Sequence, residues 1–490
     1  MKKYLSLSTT AVFILFYTVL VSCWLITNPL GTGPDEPEHY IRAVALGNGD
    51  LLGTKALTSS LPPQNATQAE FLNVLNRDFQ IPVGSAAPFY WFCTARSPGT
   101  SAQCLYQKDP VAALLNHQVS YVGTYQPYDY LPAAIVGKVV QDPNTSLFLM
   151  RLVMTVLFFP LIVGSIVLLA TNDRTSILGL SLALTPSLLF ITTVLSPSSV
   201  ELCAGVAVAA CIIRLSRRTT LPRFFWLFFC LALFLLGSAR PFGPLWLAAY
   251  ALFSVPIIGV QPIRTLYQSS RLKFWASVTS ASVGALLSLA WELVFQPTSL
   301  TRSLPDSLIL NTLYAIPNGF AESIAAFGWD NILVPKPVYL WWGVMLLMVI
   351  ALALRHSTYK EMKTLDLVIL GCGLIIISTS IAIEVSTGWS LQGRYILPFI
   401  VLLPLWSGEI LYRHNFVWKK GLREFIFISI ALIQCVGLYS NGWSYAHFGN
   451  SFFFFLQPTW SPAFGWLPWI SLVSLTCGFF TFKVCKPTAK

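Results

Sequence analysis

The segment Gly33–Tyr40 carries three carboxylates and a histidine a few residues after an apolar run. A carboxylate at a membrane surface can deprotonate a hydroxyl group, and a second acid or a histidine can orient that group or bind a cation. A low local dielectric would raise the pKa of such a carboxylate towards a useful range. Asp35 and Glu38 could instead form a capping box at a helix start, a role that needs neither Glu36 nor His39. The sequence leaves both interpretations open.

A second polar segment, Gly388–Tyr395, lies between two apolar runs late in the chain. Arg394 would lie at the outer lip of a helix, where its planar and permanently charged guanidinium group can bind a phosphate. Gly393 would let backbone approach a ligand, and Gln392 and Tyr395 flank the arginine. An arginine and a tyrosine at a helix end are also common interfacial anchors. The residues alone do not choose between a phosphate site and an anchor.

Other charged residues lie within apolar runs or at their ends, where few water molecules are expected. Arg151 falls inside an apolar run, Glu201 follows a Ser-Pro step at the outer start of another run, and Arg240 lies at an outer turn. Charged side chains within membrane spans usually face a cavity or a charged partner. Asp330, at the end of a Gly-Trp-Asp sequence, could line a pocket or simply complete a turn. Glu292 fits an ordinary interfacial position.

The apolar runs that position these residues have membrane length. Hydrophobic residues make up 55% of the chain and charged residues only 10%, whereas soluble domains carry roughly 25% charged residues. A helix that crosses about 30 Å of hydrocarbon needs roughly 20 residues. We therefore predict an all-α polytopic membrane protein with about twelve transmembrane helices. The spans are expected at 10–27, 146–170, 176–195, 200–214, 224–239, 245–260, 275–295, 338–354, 365–383, 396–412, 424–440 and 466–482.

The basic balance of the chain reflects its expected topology. The net charge is +11, and alternating spans place most Lys and Arg residues on the side of Lys2 and Lys3, which the positive-inside rule makes cytoplasmic. The charge therefore indicates attraction to anionic membrane lipids and no nucleic-acid partner. Both termini are predicted to be cytoplasmic. The N-terminal run resembles a signal peptide, but it continues to Ile26, so we expect an anchor that is kept.

Three regions follow from this pattern. Residues 1–27 form the first transmembrane helix, residues 28–145 form a large first outer loop with membrane-surface helices, and residues 146–490 contain the remaining spans. An oxidising compartment would allow Cys93 and Cys104 in this loop to form a disulfide. No Cys and His spacing suggests zinc. Smaller outer loops are expected at 296–337, 384–395 and 441–465.

Five motifs together resemble, in order and over nearly the whole chain, a family of bacterial membrane proteins, the domain-of-unknown-function family 2142. Many members of this family carry an aspartate just after the Ser-Pro step at Ser196–Pro197. This chain has Ser198 and Ser199 there, with Glu201 following, as in a subset of the family. The motifs are Pro34–His39, Tyr125–Pro132, Leu184–Pro186, Gly328–Asp330 and Gln392–Pro398.

This family resembles the GT-C superfamily of glycosyltransferases. The resemblance implies a polyprenyl-phosphate sugar donor and a catalytic acid in the first outer loop. It makes Asp35 the candidate base and Glu36 its partner. Arg394 becomes the candidate ligand of the donor phosphate, with Arg240 as a second possibility. A divalent cation, Mg²⁺ or Mn²⁺, is left open, because the sequence gives no clear ligand set. The further candidate substrate-binding residues are His39, Glu201, Asp330, Gln392 and Tyr395.

The sequence therefore predicts an integral-membrane glycosyltransferase of the bacterial inner membrane. It would transfer a sugar to a cell-envelope glycan or lipid on the non-cytoplasmic face and so serve polysaccharide biosynthesis. The alternatives are a transporter or flippase of lipid-linked saccharides and a polymerase of surface glycans. A transporter would place its key charges near the middle of the membrane, whereas here they cluster at the predicted outer surface.

Overall fold

The fold is that of an all-α polytopic membrane protein with one small sheet in its first extramembrane region. The computed structural model describes residues 8–56, 62–95, 99–295, 308–419, 421–447 and 452–485. Lys2 and Lys3, and residues 296–307 of the predicted loop 296–337, lie outside the described residues.

The first region consists of one apolar helix followed by a compact cap, which we define as residues 28–142. In the cap, β1, β2 and β3 form an antiparallel sheet in that order, with Arg77 opposite Ser120. This register brings the chain after β3 to α2. The elements are α1 (Thr9–Thr27), α2 (Glu36–Gly47), β1 (Thr54–Lys55), α3 (Ala66–Leu75), β2 (Arg77–Gln80), β3 (His117–Ser120) and α4 (Leu131–Val139).

The middle of the chain contributes eight helices. Asp142 caps the first of them through its side chain, which accepts a hydrogen bond from the Thr145 N–H at 2.8 Å. The helices are α5 (Pro143–Leu169), α6 (Leu178–Ala183), α7 (Pro186–Ile191), α8 (Pro197–Ser216), α9 (Phe225–Ser238), α10 (Gly243–Ile258), α11 (Val260–Ser269) and α12 (Arg271–Phe295).

The last part of the chain contacts the cap at several places, among them Asn331, Gly388 and Tyr445. A short two-stranded ribbon, β4 and β5, follows α13. The elements are α13 (Leu308–Ala325), β4 (Ala326–Phe327), β5 (Ile332–Leu333), α14 (Lys336–His356), α15 (Tyr359–Thr387), α16 (Gly393–Ile400), α17 (Leu402–Arg413), α18 (Leu422–Ala446) and α19 (Trp466–Cys485).

The predicted count of twelve continuous spans is not confirmed. Among the described residues, nine helical segments are long and apolar enough to cross a membrane, or ten if α10 and α11 count as one bent span. The predicted span 176–195 is instead two buried six-residue helices, α6 and α7. Pro186 starts the second helix and its missing N–H cannot continue the first. The predicted span 224–239 is the 14-residue α9. Hydropathy alone does not distinguish such short packed helices from full spans.

The bundle has two ends that differ in chemistry. One end, the cap side, carries the cap and the loops around Arg240, Asp330 and Arg394. The opposite end, the basic side, is marked by a buried ion pair in which Arg217 Nη2 lies 2.9 Å from Glu409 Oε2. Further cations on the basic side are Arg214, Arg218, Arg223, Arg264, Arg271, Lys273, Arg355, Lys360, Lys363, Arg413 and Lys419.

Helix α8 forms the centre of the bundle and is almost entirely buried. Gly205 on this helix lies against α16 so closely that a Cβ atom there would be 2.5 Å from the Pro398 carbonyl oxygen. The Tyr250 hydroxyl donates to the carbonyl groups of both Gly205 and Pro398, at 3.0 and 2.6 Å. This packing fixes the start of α8, with Glu201, beside the start of α16, with Arg394.

Candidate active site on the cap side

Asp35 and Arg394 meet although 359 residues separate them in the chain. Arg394 Nη2 donates to Asp35 Oδ2 at 2.8 Å, and the Tyr121 hydroxyl donates to Asp35 Oδ1 at 2.6 Å. The Asp35 side chain is 24% exposed and that of Arg394 only 5%. Both carboxylate oxygens are thus held by charged or polar donors, while part of the group still faces open space.

The predicted capping box at this helix is wrong. Asp35 precedes α2 in the left-handed region, with φ of 57°, and its side chain makes no capping hydrogen bond. Glu38 accepts a hydrogen bond from the Tyr121 N–H at 3.1 Å instead of serving the helix start. A non-glycine residue in this backbone region carries strain, which is commonest at functional sites. The backbone turns the Asp35 carboxylate away from the helix and towards Arg394.

The charge states of this cluster follow from burial and neighbouring charges. Burial alone would raise the pKa of Asp35, but the charge of Arg394, together with the hydrogen bond from the Tyr121 hydroxyl, brings that pKa below its usual value. Burial lowers the pKa of His39 to about 3, and Asp35 does not offset this. His39 is therefore neutral at physiological pH. Its Nδ1 makes a hydrogen bond of 2.6 Å with the Tyr130 hydroxyl.

Tyr395 lies between the two candidate phosphate ligands. The guanidinium carbon of Arg394 is 5.3 Å from the centre of the Tyr395 ring, and that of Arg240 is 4.7 Å away. Gln392 Oε1 accepts from Arg394 Nε at 2.9 Å. Arg240 donates to the Ser198 hydroxyl at 2.7 Å. Two cations therefore share one aromatic ring and form a wall of the site, in which Arg394 also pairs with the Asp35 carboxylate.

Glu201 belongs to the Arg240 side of this wall. Its Oε2 lies 3.9 Å from Arg240 Nη1, and its Oε1 accepts from Trp246 Nε1 at 2.7 Å. The Glu201 side chain is only 2% exposed. The structure therefore places Glu201 beside Arg240 as a buried acidic neighbour of its guanidinium group.

Glu36 has a different position from the one predicted. Its carboxylate pairs with Arg151, whose Nε donates at 2.6 Å and whose Nη2 makes a second short contact, and both side chains are fully buried. The same carboxylate accepts from the backbone N–H groups of Leu195 and Gly33 at 2.9 and 3.1 Å. With these donors in place, Glu36 does not act as a partner of the Asp35 base. It anchors the loop that carries Asp35 to α5 and to the chain before α8.

Two acids of α13 and the following loop complete the cluster, and sequence analysis missed one of them. Glu322 Oε2 accepts from the Gly393 N–H at 2.9 Å. Burial, with a further contribution from Asp330, raises the pKa of Glu322 to about 8. Burial also raises the pKa of Asp330, although Arg394 opposes that change. Glu322 lies in a predicted loop without a motif, so only the position of its side chain reveals it.

On the other side of the site, Gln126 links the cap to α12. Its Nε2 donates to the Ser288 hydroxyl at 2.7 Å and to Glu292 Oε1 at 3.4 Å. Gln126 comes from the motif Tyr125–Pro132, and Ser288 also donates to the Arg240 carbonyl group at 3.1 Å. Glu292, which the sequence analysis assigned to an ordinary interfacial position, therefore lies at the edge of the site.

The two cysteines that the sequence suggested as a disulfide are bonded within the cap. Cys93 and Cys104 form a disulfide with their Cα atoms 6.2 Å apart. The Ser101 hydroxyl near this bridge donates to the Tyr445 carbonyl group at 3.1 Å, which ties the cap to α18. The cap is thus held by a disulfide within it and by a hydrogen bond to the helical bundle.

A divalent cation does not fit the acids of this site as they are arranged. Among the described residues, no group of three or more His, Cys, Asp or Glu side chains is placed to hold a metal ion. The Asp35 carboxylate already accepts from Tyr121 and Arg394.

The fold and the site define a polytopic membrane protein with a polar, charge-rich centre under an extramembrane cap. The predicted-membrane-protein family DUF2142 matches residues 18–403, most of the chain. The chain belongs to this family, as the five motifs suggested. No curated protein and no solved structure matches it.

Proposed function

We propose that this protein is a glycosyltransferase that uses a polyprenyl-phosphate sugar as donor and a cell-envelope glycan or lipid as acceptor. The contact between Asp35 and Arg394 is the observation that carries the proposal. It joins a carboxylate that can act as a base to a cation that can hold a phosphate, beside a second cation, Arg240. The resemblance to GT-C enzymes supplies the reaction class.

The reaction proceeds by exchange of partners at Arg394. The donor phosphate binds Arg394 and Arg240, and the Asp35 carboxylate loses its cation. The pKa of Asp35 then rises from its lowered value, because the charge that held it down is shared with the phosphate. The freed carboxylate accepts a hydrogen bond from the acceptor hydroxyl group and becomes a better base.

The sugar is transferred in a single displacement with inversion. The acceptor oxygen forms a bond to the anomeric carbon, its proton passes to Asp35, and the bond from that carbon to the phosphate oxygen breaks. The leaving polyprenyl phosphate keeps the electron pair of the broken bond. Arg394 and Arg240 stabilise the negative charge that develops on it. Neutral His39 adds no charge of its own and holds Tyr130.

The orientation of the chain follows from its charges. The basic side carries most of the described cations that are not in the site, so we place it in the cytoplasm and the cap outside. Both termini are then cytoplasmic, and the membrane is the bacterial inner membrane. Arg394 starts an apolar segment, Gly393–Arg413. A lipid phosphate at the outer surface can therefore reach this arginine while its hydrocarbon tail stays among the helices.

The proposal is tested with purified protein in lipid nanodiscs and a radiolabelled polyprenyl-phosphate sugar. Asp35→Asn is expected to lose transfer by a factor of about 10²–10⁴ while it still binds the donor. Arg394→Ala is expected to lose donor binding. The matched controls are the exposed residues Glu70 and Arg355, changed to Gln and Ala, which leave both properties intact.

The same variants separate the competing functions in cells. A glycosyltransferase variant loses a sugar from the surface glycan without a defect in lipid translocation. Accumulation of lipid-linked saccharides on the cytoplasmic leaflet would instead favour the flippase. Normal glycans and normal transfer in both Asp35→Asn and Arg394→Ala would rule out this site.

A further inference from the structure

An apolar cavity on the basic side lies between α9, α10 and α12 and has no part in the proposed reaction. Its volume is about 300 Å³. Side chains from three sides of it are aromatic or aliphatic, among them Trp226 and Phe229 of α9 and Phe274 of α12. A cavity with such a lining excludes water and favours a hydrocarbon occupant.

Helix α11 closes this cavity from the basic side. The chain bends by 103° after α10, at Gly259, whose φ of +93° is accessible to glycine. Ile263 and Leu266 of α11 line the cavity, whereas Arg264 is exposed. An amphipathic helix of this kind lies in the plane of the membrane surface with its apolar face among the acyl chains.

Cations lie on and beside α11, the helix that closes the cavity. Lys360 Nζ lies 3.5 Å from the position that a Cβ atom would take at Gly259. The guanidinium group of Arg271 stacks on the Tyr267 ring, 5.6 Å from its centre. Glu361, next to Lys360 on α15, contacts His414 and Arg413 at 2.7 and 3.6 Å. It is therefore engaged with these two residues and does not neutralise Lys360 or Arg271.

We propose that this cavity binds one anionic phospholipid of the leaflet on the basic side. An acyl chain fills the space between α9, α10 and α12, and the phosphate group lies between Lys360, Arg264 and Arg271. The apolar cavity contacts only the acyl chain and so does not distinguish one phospholipid from another. The cations select a lipid with an anionic headgroup by charge complementarity. Each cation near a membrane surface contributes about fivefold to the binding of an anionic lipid.

Native mass spectrometry of the full-length protein in mild detergent tests this site. The probes are phosphatidylglycerol and phosphatidylcholine with identical acyl chains. With three cations at about fivefold each, wild-type protein is expected to bind phosphatidylglycerol more tightly by roughly a hundredfold, and the double variant Arg264→Gln, Lys360→Gln, which keeps Arg271, should reduce this preference to about fivefold. Lys419→Gln, on the basic side near α18, is the matched control and should keep the preference.

A second variant tests the apolar part. Ala281→Phe places a ring inside the cavity and is expected to weaken both lipids equally, with thermal melting as the check that the bundle folds. If it does not fold, Ala251→Phe on α10 fills the same space. Equal affinity of the wild type for both lipids overturns the proposal, and so does an equal loss in Lys419→Gln. Displacement of phosphatidylglycerol by polyprenyl phosphate would assign the cavity to the donor and overturn it as well.

Discussion

Arg240 and Arg394, which are brought together from distant parts of the chain, stack on the ring of one residue, Tyr395, at 4.7 and 5.3 Å from its centre. The ring lowers the electrostatic cost of holding two cations close together, since each interacts favourably with its π face. Arg394 also contacts the Asp35 carboxylate, and Arg240 has Glu201 as its acidic neighbour. A donor phosphate could therefore meet both cations at once.

Tyr395→Leu is expected to raise the donor KM about tenfold, because the loss of the ring removes about 0.5–2 kcal/mol of cation–π interaction per arginine. Steady-state kinetics in nanodiscs measure the effect. Tyr395→Phe is the matched control: it keeps the ring, and its KM should lie much closer to that of the wild type. A phenylalanine variant as impaired as the leucine variant would show that the hydroxyl group, and not the ring, matters.

Removal of Arg394 is expected to raise the pKa of Asp35. Burial favours the neutral acid, and the guanidinium group is the main opposing influence in the folded protein. Carbodiimide labels protonated carboxyl groups, so peptide mass spectrometry can follow the reaction at Asp35 between pH 4 and 8. In Arg394→Gln the labelling should extend to a higher pH than in the wild type.

The exposed Glu70 provides the internal reference in the same digest, since its labelling should not change. The lowered pKa of Asp35 also has a consequence for stability. The contact with Arg394 contributes stability above the unfolded pKa of about 3.9, and this contribution is lost as the pH falls through the lower folded pKa. An unchanged Asp35 labelling profile in Arg394→Gln would contradict the electrostatic link.

Glu322 should make the stability of the structure around Arg394 depend on pH between weakly acidic and weakly alkaline values. Its pKa is raised to about 8, above the unfolded value of about 4.3, so folding favours the protonated form. The associated stability is complete below about pH 4.3, declines as the pH rises to about 8, and changes no further above that. Glu322→Gln should remove this dependence while keeping an acceptor for the Gly393 N–H. Thermal melting over this interval measures it.

Glu70→Gln is the matched control for this experiment and should retain the decline in stability that the wild type shows as the pH rises to about 8. Parallel profiles for Glu322→Gln and the wild type would mean that Glu322 does not titrate in this range. Transfer activity over the same interval tests whether the conformation of the Arg394 loop, and not only its stability, depends on the acid.

Hydropathy and motif order predicted the fold class and brought Asp35 and Arg394 to the same side of the membrane. Counting the spans is sufficient to place both residues on one side, because each span moves the chain to the opposite side of the membrane. It cannot supply their 2.8 Å contact, which depends on the close packing of α8 against α16 at Gly205. The left-handed backbone at Asp35 also leaves no trace in the sequence pattern, so the helix start looked like a capping box.

The buried charges show a second limit. An arginine inside an apolar run, Arg151, correctly indicated a charged partner, but the sequence offered several acids. Only the structure selects Glu36 and so removes it from the chemistry. Glu322 was missed because neither its position nor its neighbours form a motif. Residues that act through tertiary contacts of this kind cannot be ranked from spacing along the chain.

The ion pair of Glu36 and Arg151 should be among the most sensitive positions of the fold. Removal of one partner from a fully buried pair leaves an uncompensated charge and costs about 3–5 kcal/mol. Glu36→Gln and Arg151→Met are therefore each expected to lower the melting temperature strongly, with loss of transfer as a consequence. The double variant Glu36→Met, Arg151→Met should recover much of the stability, since it leaves no buried charge alone.

Thermal melting of all three variants in nanodiscs, with Glu70→Gln as the neutral control, measures the coupling. Additive losses in the double variant would show that the two side chains act independently, and a stable Glu36→Gln protein without transfer would return Glu36 to the catalytic machinery.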